Sequence, residues 1–137
     1  MGAGISFDTV SKILTLNVGW GSGQGFTNLT GSVTAAHIHN AGSAALTANG
    51  TIVFSLDGTT LGFNSSATNG GWTNTTTVPL SATQETALTS GFLYLNAHTG
   101  ANGGGEIRGN LVQAPESSSV ALVAMGLSGM LLRRRRA

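Results

Sequence analysis

The chain has 137 residues, one domain's worth, and no cysteine, which excludes a disulfide framework, thiol catalysis and thiolate metal sites. Only 8% of the residues are charged and 21 are glycine, against roughly a quarter charged in ordinary domains, so the surface is neutral, rich in Thr, Ser and Asn, and typical of an exported β-protein. The formal charge of +1 depends on Arg133, Arg134, Arg135 and Arg136, four of the six basic residues. Without them two basic and five acidic residues leave −3, and the body keeps only Lys12 and Arg108, too few to track a phosphate backbone, so nucleic acid is excluded as a partner.

In chain order, residues 5–7 form a short apolar-bearing run, Asp8-Thr9-Val10-Ser11 reads as a turn, and Ile13–Trp20 alternates with Leu14, Leu16, Val18 and Trp20 on one face. That is a β-hairpin. Gly21–Gly25 is a loop, Leu29–His39 a strand, residues 40–50 a second loop, and Thr51–Leu56 a strand ended by Asp57-Gly58. Residues 61–77 are rich in Asn, Thr, Ser and Gly, with Phe63 and Trp72 as apolar anchors, and their pattern assigns no strand. Ser81 stands three residues before Gln84, a capping-box spacing that starts a short helix near 81–89, with Leu80 and Leu88 expected to pack on the sheet edge and Gly91 to end the turn. A strand over Phe92–His98, a glycine loop over Gly100–Gly105 and a last strand over Glu106–Val112 complete the body. Short strands separated by turn signals predict an all-β fold, a Greek-key β-sandwich or partly open barrel.

Histidine is concentrated in two of these strands. His37 and His39 alternate with Ala36 and Ile38, so both imidazoles project from one face; Tyr94, Asn96 and His98 likewise share a face opposite Leu93, Leu95 and Ala97. If the two strands are neighbours, the three histidines converge. Three neutral imidazoles suit copper or zinc, with Glu106 as a fourth ligand or that position left open. The alternative reading is structural: the rings hydrogen-bond to the 40–50 and 100–105 loops or to Glu106 and pin those loops to the sheet. Glu106 and Arg108 project together from the last strand and are expected to form an exposed ion pair. No Gly-x-Ser-x-Gly elbow occurs, and Asp8, Asp57, Glu85 and Glu106 lie in unrelated turns and elements, so catalysis is not expected.

The string from His37 to Gly42, the run Gly91-Phe92-Leu93-Tyr94-Leu95-Asn96, His98-Thr99 and Gly104-Gly105-Glu106-Ile107-Arg108-Gly109 together resemble a CHRD domain, the module named after chordin and also found in bacterial exported proteins. The resemblance covers roughly residues 2 to 112 and places the domain at 1–113. It implies an extracellular all-β domain, one that ordinarily carries a further strand ahead of Gly2 and would follow a signal peptide; an unpaired sheet edge or exposed groove is the expected consequence here. The His-x-His strand is also similar to the metal-binding strand of copper/zinc superoxide dismutases, although the Asp and further His of that site have no counterpart.

At Pro115 the pattern changes. Pro115-Glu116, a continuous apolar run from Val120 to Leu132 and the four terminal arginines resemble a PEP-CTERM sorting tail, with Ser117 where a second proline usually stands. The resemblance implies a separate C-terminal apolar helix over the 114–137 tail, transient membrane contact and a sorting protease acting near Glu116. The apolar run has 13 residues, whereas a membrane crossing needs about 20, so stable spanning is marginal. Two functions follow: a non-catalytic domain of the cell envelope, cell surface or extracellular matrix with a protein or polysaccharide partner, or a secreted copper- or zinc-binding domain or metalloenzyme built on the three histidines.

Overall fold

In the computed structural model, which describes residues 2–43, 48–56 and 62–114, the chain forms two antiparallel four-stranded sheets packed face to face. The first sheet has the order β1 (Gly2–Asp8), β2 (Ile13–Trp20), β6 (Gly70–Thr76), β5 (Phe63–Asn64). The second has the order β4 (Thr51–Ser55), β3 (Val33–Asn40), β7 (Leu93–Thr99), β8 (Ile107–Asn110). Consecutive strands pair as hairpins, and successive hairpins alternate between the sheets, so β2 meets β6 and β3 meets β7 only in three dimensions. The arrangement is a sandwich, not a partly open barrel.

Alternation explains the core. Leu14, Leu16, Val18 and Trp20 of β2 and Trp72 of β6 face Ala36 and Ile38 of β3 and Leu93, Leu95 and Ala97 of β7, all of them buried. The Trp20 and Trp72 rings meet edge to face at 5.2 Å, and each indole N–H is satisfied by a backbone carbonyl, Ser66 at 2.8 Å and Leu56 at 2.9 Å. Burying an indole while pairing its N–H is the arrangement that makes a core tryptophan stabilising. The single α-helix of the described residues, α1 (Ala82–Thr89), has the expected capping box: Ser81 Oγ accepts from Gln84 N–H, and Gln84 Oε1 accepts from Ser81 N–H. Its buried Ala87, with Leu80 and the half-buried Leu88, closes one end of the core.

Three differences from the pattern-based reading bear on the placement of the site. The first histidine strand begins at Val33, not Leu29, because the preceding residues run beside the other sheet, where Leu29 N–H reaches Ala67 C=O at 3.0 Å and Val33 N–H reaches Ser65 C=O at 2.8 Å. Residues 63–64 and 70–76 are strands despite their Asn/Thr/Gly composition, with Trp72 as the core-facing signal. The last strand begins at Ile107, so Glu106 lies outside it. The apolar helix and sorting tail expected after Ala114 fall on 115–137, outside the described residues. Among the described residues no helix is long and apolar enough to cross a membrane.

Candidate metal centre

The outer face of the β4-β3-β7-β8 sheet carries the histidines. Antiparallel pairing sets His37 against Asn96 and Ala35 against His98, so the three rings that alternation sends outward on β3 and β7 lie within one turn of register of each other. One ring nitrogen from each of His37, His39 and His98 lies within 4.8 Å of the others. His37 Nδ1 and His98 Nε2 are 3.2 Å apart. A tetrahedral ion with Zn–N bonds of 2.0–2.1 Å holds its nitrogens about 3.3 Å apart, so this pair already has ligand spacing, and the His39 nitrogen lies within 4.8 Å of both.

On two of the rings the opposite nitrogen is held. His39 Nδ1 donates to Gly50 C=O at 3.0 Å, and His98 Nδ1 donates to Gly103 C=O at 2.9 Å. A proton on Nδ1 leaves Nε2 with a lone pair, so His98 Nε2 accepts from His37 Nδ1–H, and His39 Nε2 is a buried nitrogen without a partner. This is the outer-shell arrangement that fixes tautomer and ring direction in histidine metal sites. On His39 and His98 the structural and ligand readings therefore use opposite atoms: Nδ1 pins the loops and Nε2 faces the cluster, where an ion would take the place of the His37 Nδ1 proton now shared with His98 Nε2.

Tyr94 and Arg108, which pattern reading did not join to the histidines as a stack, complete the face. The His39 ring stacks on Tyr94 with centroids 4.9 Å apart and 7° between planes, and the Arg108 guanidinium carbon lies 3.6 Å from the Tyr94 centroid. Tyr94 OH accepts Gly50 N–H at 2.9 Å, and Arg108 donates to Ala48 C=O at 2.8 Å. The His39, Tyr94 and Arg108 stack thus clamps the loop that supplies Gly50. Only glycine fits there, because a Cβ on residue 50 would collide with the Asn40 backbone carbonyl. The available signal was the shared face of Tyr94 and His98; the Arg108 contact depends on β7–β8 register.

The model of the CHRD domain family matches residues 3–111, most of the chain. The chain belongs to the CHRD family. CHRD domains are typical of secreted and extracellular proteins. No curated protein and no solved structure gives a significant match to the chain.

The structure does not bring the Glu106 carboxylate to the three histidines, nor does it pair Glu106 with Arg108. Its Oε1 accepts Thr30 N–H at 2.7 Å, and its Oε2 accepts the hydroxyls of Thr30 and Thr99, each at 2.6 Å. Thr99 shares the face of Leu93, Leu95 and Ala97, opposite the histidines, so Glu106 has gone to the other side of the sheet. Alternation failed because it holds only inside a strand: Gly105, at φ 115°, precedes Glu106 and redirects the chain before β8 begins. The Thr30 side chain, then the Thr99 hydroxyl and the Thr30 amide, lower the Glu106 pKa to about 2. The other two described acids are also engaged elsewhere: Glu85 Oε1 meets Lys12 Nζ at 2.7 Å, and Asp8 Oδ1 accepts Val10 N–H at 2.8 Å, which with Ser11 lowers its pKa.

Proposed function

We propose that this CHRD domain binds one copper or zinc ion through His37 Nδ1, His39 Nε2 and His98 Nε2, as an exported binding module and not as an enzyme. The observation that carries the reading is the orientation of the rings: three imidazole nitrogens lie within 4.8 Å, and the Nδ1 atoms of His39 and His98 are anchored on Gly50 and Gly103. Of the two readings open from the sequence, this geometry favours the ion, because loop pinning alone does not require a buried, unpartnered His39 Nε2. A three-nitrogen site leaves a coordination position for water or an external ligand. The binding reading is preferred over catalysis because the described acids Asp8, Glu85 and Glu106 are engaged away from the cluster.

Export is supported by family membership and by the neutral, hydroxyl-rich composition. Within this proposal the tail, with Pro115-Glu116 and Arg133 to Arg136, directs the chain to the envelope, contacts the membrane transiently and is cut by a sorting protease.

The test is a titration of chelator-stripped full-length protein with Cu(II) and with Zn(II), followed by calorimetry and, after dialysis, elemental analysis. About one equivalent of one of these ions is expected to remain, and His37→Ala with His98→Ala to remove it while the thermal melt stays cooperative. Retention of neither ion by the unaltered protein, or equal retention by the double variant, overturns the site and leaves the loop-pinning role.

A further inference from the structure

The opposite face of the sandwich carries a separate feature. A cleft of about 530 Å³ opens on the outside of the β1-β2-β6-β5 sheet, in the size range of small-ligand sites. Its floor is the backbone of Gly19 of β2 and Gly71 of β6, direct partners across the ladder between the core-facing pairs of Val18 with Trp72 and Trp20 with Gly70, and the Gln24 side chain packs over Gly19. Gly71, at φ 153°, is also required for backbone reasons, since a Cβ there would strike the Val18 carbonyl.

A β-bulge shapes one end. Asn17 of β2 faces two residues of β6, Thr73 and Asn74, and Asn74 takes φ 48°, a left-handed conformation that asparagine tolerates better than most residues. Asn17 Oδ1 accepts Asn74 N–H at 2.8 Å, so Asn17 has its amide NH₂ to offer at the rim beside the Thr73 hydroxyl. The other end is walled by a fixed amide pair, Gln24 Nε2 donating to Asn69 Oδ1 at 2.7 Å, which presents Gln24 Oε1 as an acceptor and Asn69 Nδ2 as a donor. Beside them stands Phe26, a large aromatic left 38% exposed on a domain that buries both tryptophans. No lining residue is charged.

We infer that this cleft is a binding site for a neutral, hydroxyl-rich glycan. Carboxamides that each offer a donor or an acceptor match vicinal hydroxyls, and an exposed ring matches the apolar face of a sugar. The absence of charge among the lining residues selects against phosphorylated or carboxylated ligands, which would lose their hydration without a countercharge. Held amides cost little ordering entropy on binding. The site is independent of the histidines, which lie on the other sheet's outer face.

The test is affinity electrophoresis of the full chain in gels containing dextran, mannan or soluble cellulose and chitin oligomers, with alginate as the carboxylated control. Retardation by at least one neutral glycan is expected, unchanged by chelator, by His37→Ala, or by salt at about 1 M, where electrostatic attraction is screened. Phe26→Ala and Gln24→Ala should each weaken it about tenfold or more with unaltered melting, and Phe26→Tyr should restore it. The proposal is overturned if no neutral glycan retards the protein, if both alanine variants bind as the parent does, or if alginate alone binds and salt removes it.

Discussion

The two outer faces of this sandwich are built on equivalent central strand pairs and could hardly differ more. On β3 and β7 the outward positions hold three imidazoles, a phenol and a carboxamide, stacked and tied to overlying loops through Gly50, Gly103 and Gly104. On β2 and β6 the corresponding outward positions hold glycine, asparagine and threonine, and the surface between them is an open, uncharged cleft. Alternation supplies both faces automatically, because each strand commits every second residue to the core and leaves the rest to be spent on the surface. The difference lies in what covers them. The 48–50 and 103–105 segments cover part of the histidine face and bury His39, leaving His37 and His98 half-buried, whereas the face that carries the bulge at Asn17 and Asn74 stays open.

The faces share one core, so the largest effect should disregard the distinction. Trp72→Ala removes the indole that meets Trp20 and Leu56 C=O, and is expected to cost about 3–5 kcal/mol, lowering the denaturant midpoint and weakening ion and glycan binding together. If one function survived undiminished in the folded fraction while the other vanished, the faces would be less coupled than a common core requires.

Gly50→Ala should act on the histidine face alone. The added methyl meets the Asn40 carbonyl, so the chain must shift and loosen both the Gly50–His39 and the Gly50–Tyr94 hydrogen bonds. Lost bonding of those buried groups costs about 1–3 kcal/mol, and loss of the outer-shell carbonyl should weaken metal binding about 10- to 100-fold. Calorimetry on the variant checks this, with glycan retardation as the unaffected comparison.

Glu106→Gln separates the carboxylate from the cluster. The folded-state pKa of Glu106 is lowered from 4.5 to about 2, so its ionised form is favoured by folding; that contribution is complete above about pH 4.5 and is lost as pH falls from there towards 2. Denaturant midpoints measured across this window should fall less steeply in the Gln variant, while metal stoichiometry at neutral pH stays the same. A loss of bound ion would return Glu106 to the ligand set.

The smallest effect should be Ser81→Ala, which removes the oxygen that caps α1 and is expected to cost about 1 kcal/mol in thermal or chemical unfolding with no change at either face.

Where a local period or a local motif operates, residue order was enough. The Ile13–Trp20 alternation, the common face of His37 and His39, the matching face of Tyr94 and His98, and the Ser81–Gln84 cap all follow from interactions spanning a few residues. The meeting of those two faces required β3 to lie beside β7, and 52 residues separate the end of one from the start of the other. Residues 70–76 were illegible because their outward side chains are small and polar, and one bulge breaks the alternation that would have revealed a strand.

By itself the sequence determined an all-β domain of the CHRD family, its sheet-facing apolar residues, its helix start and the three-histidine inventory, because propensity, alternation and capping are written in neighbouring residues. Tertiary structure decided which ring nitrogens turn inward, that Glu106 crosses to Thr30 and Thr99, that Arg108 covers Tyr94, and that Gly19 lies against Gly71 to make a cleft. Each of these depends on strand register and on a chain reversal at glycine. Both are settled by packing the whole sandwich, where a shift of one residue would exchange the core for the surface.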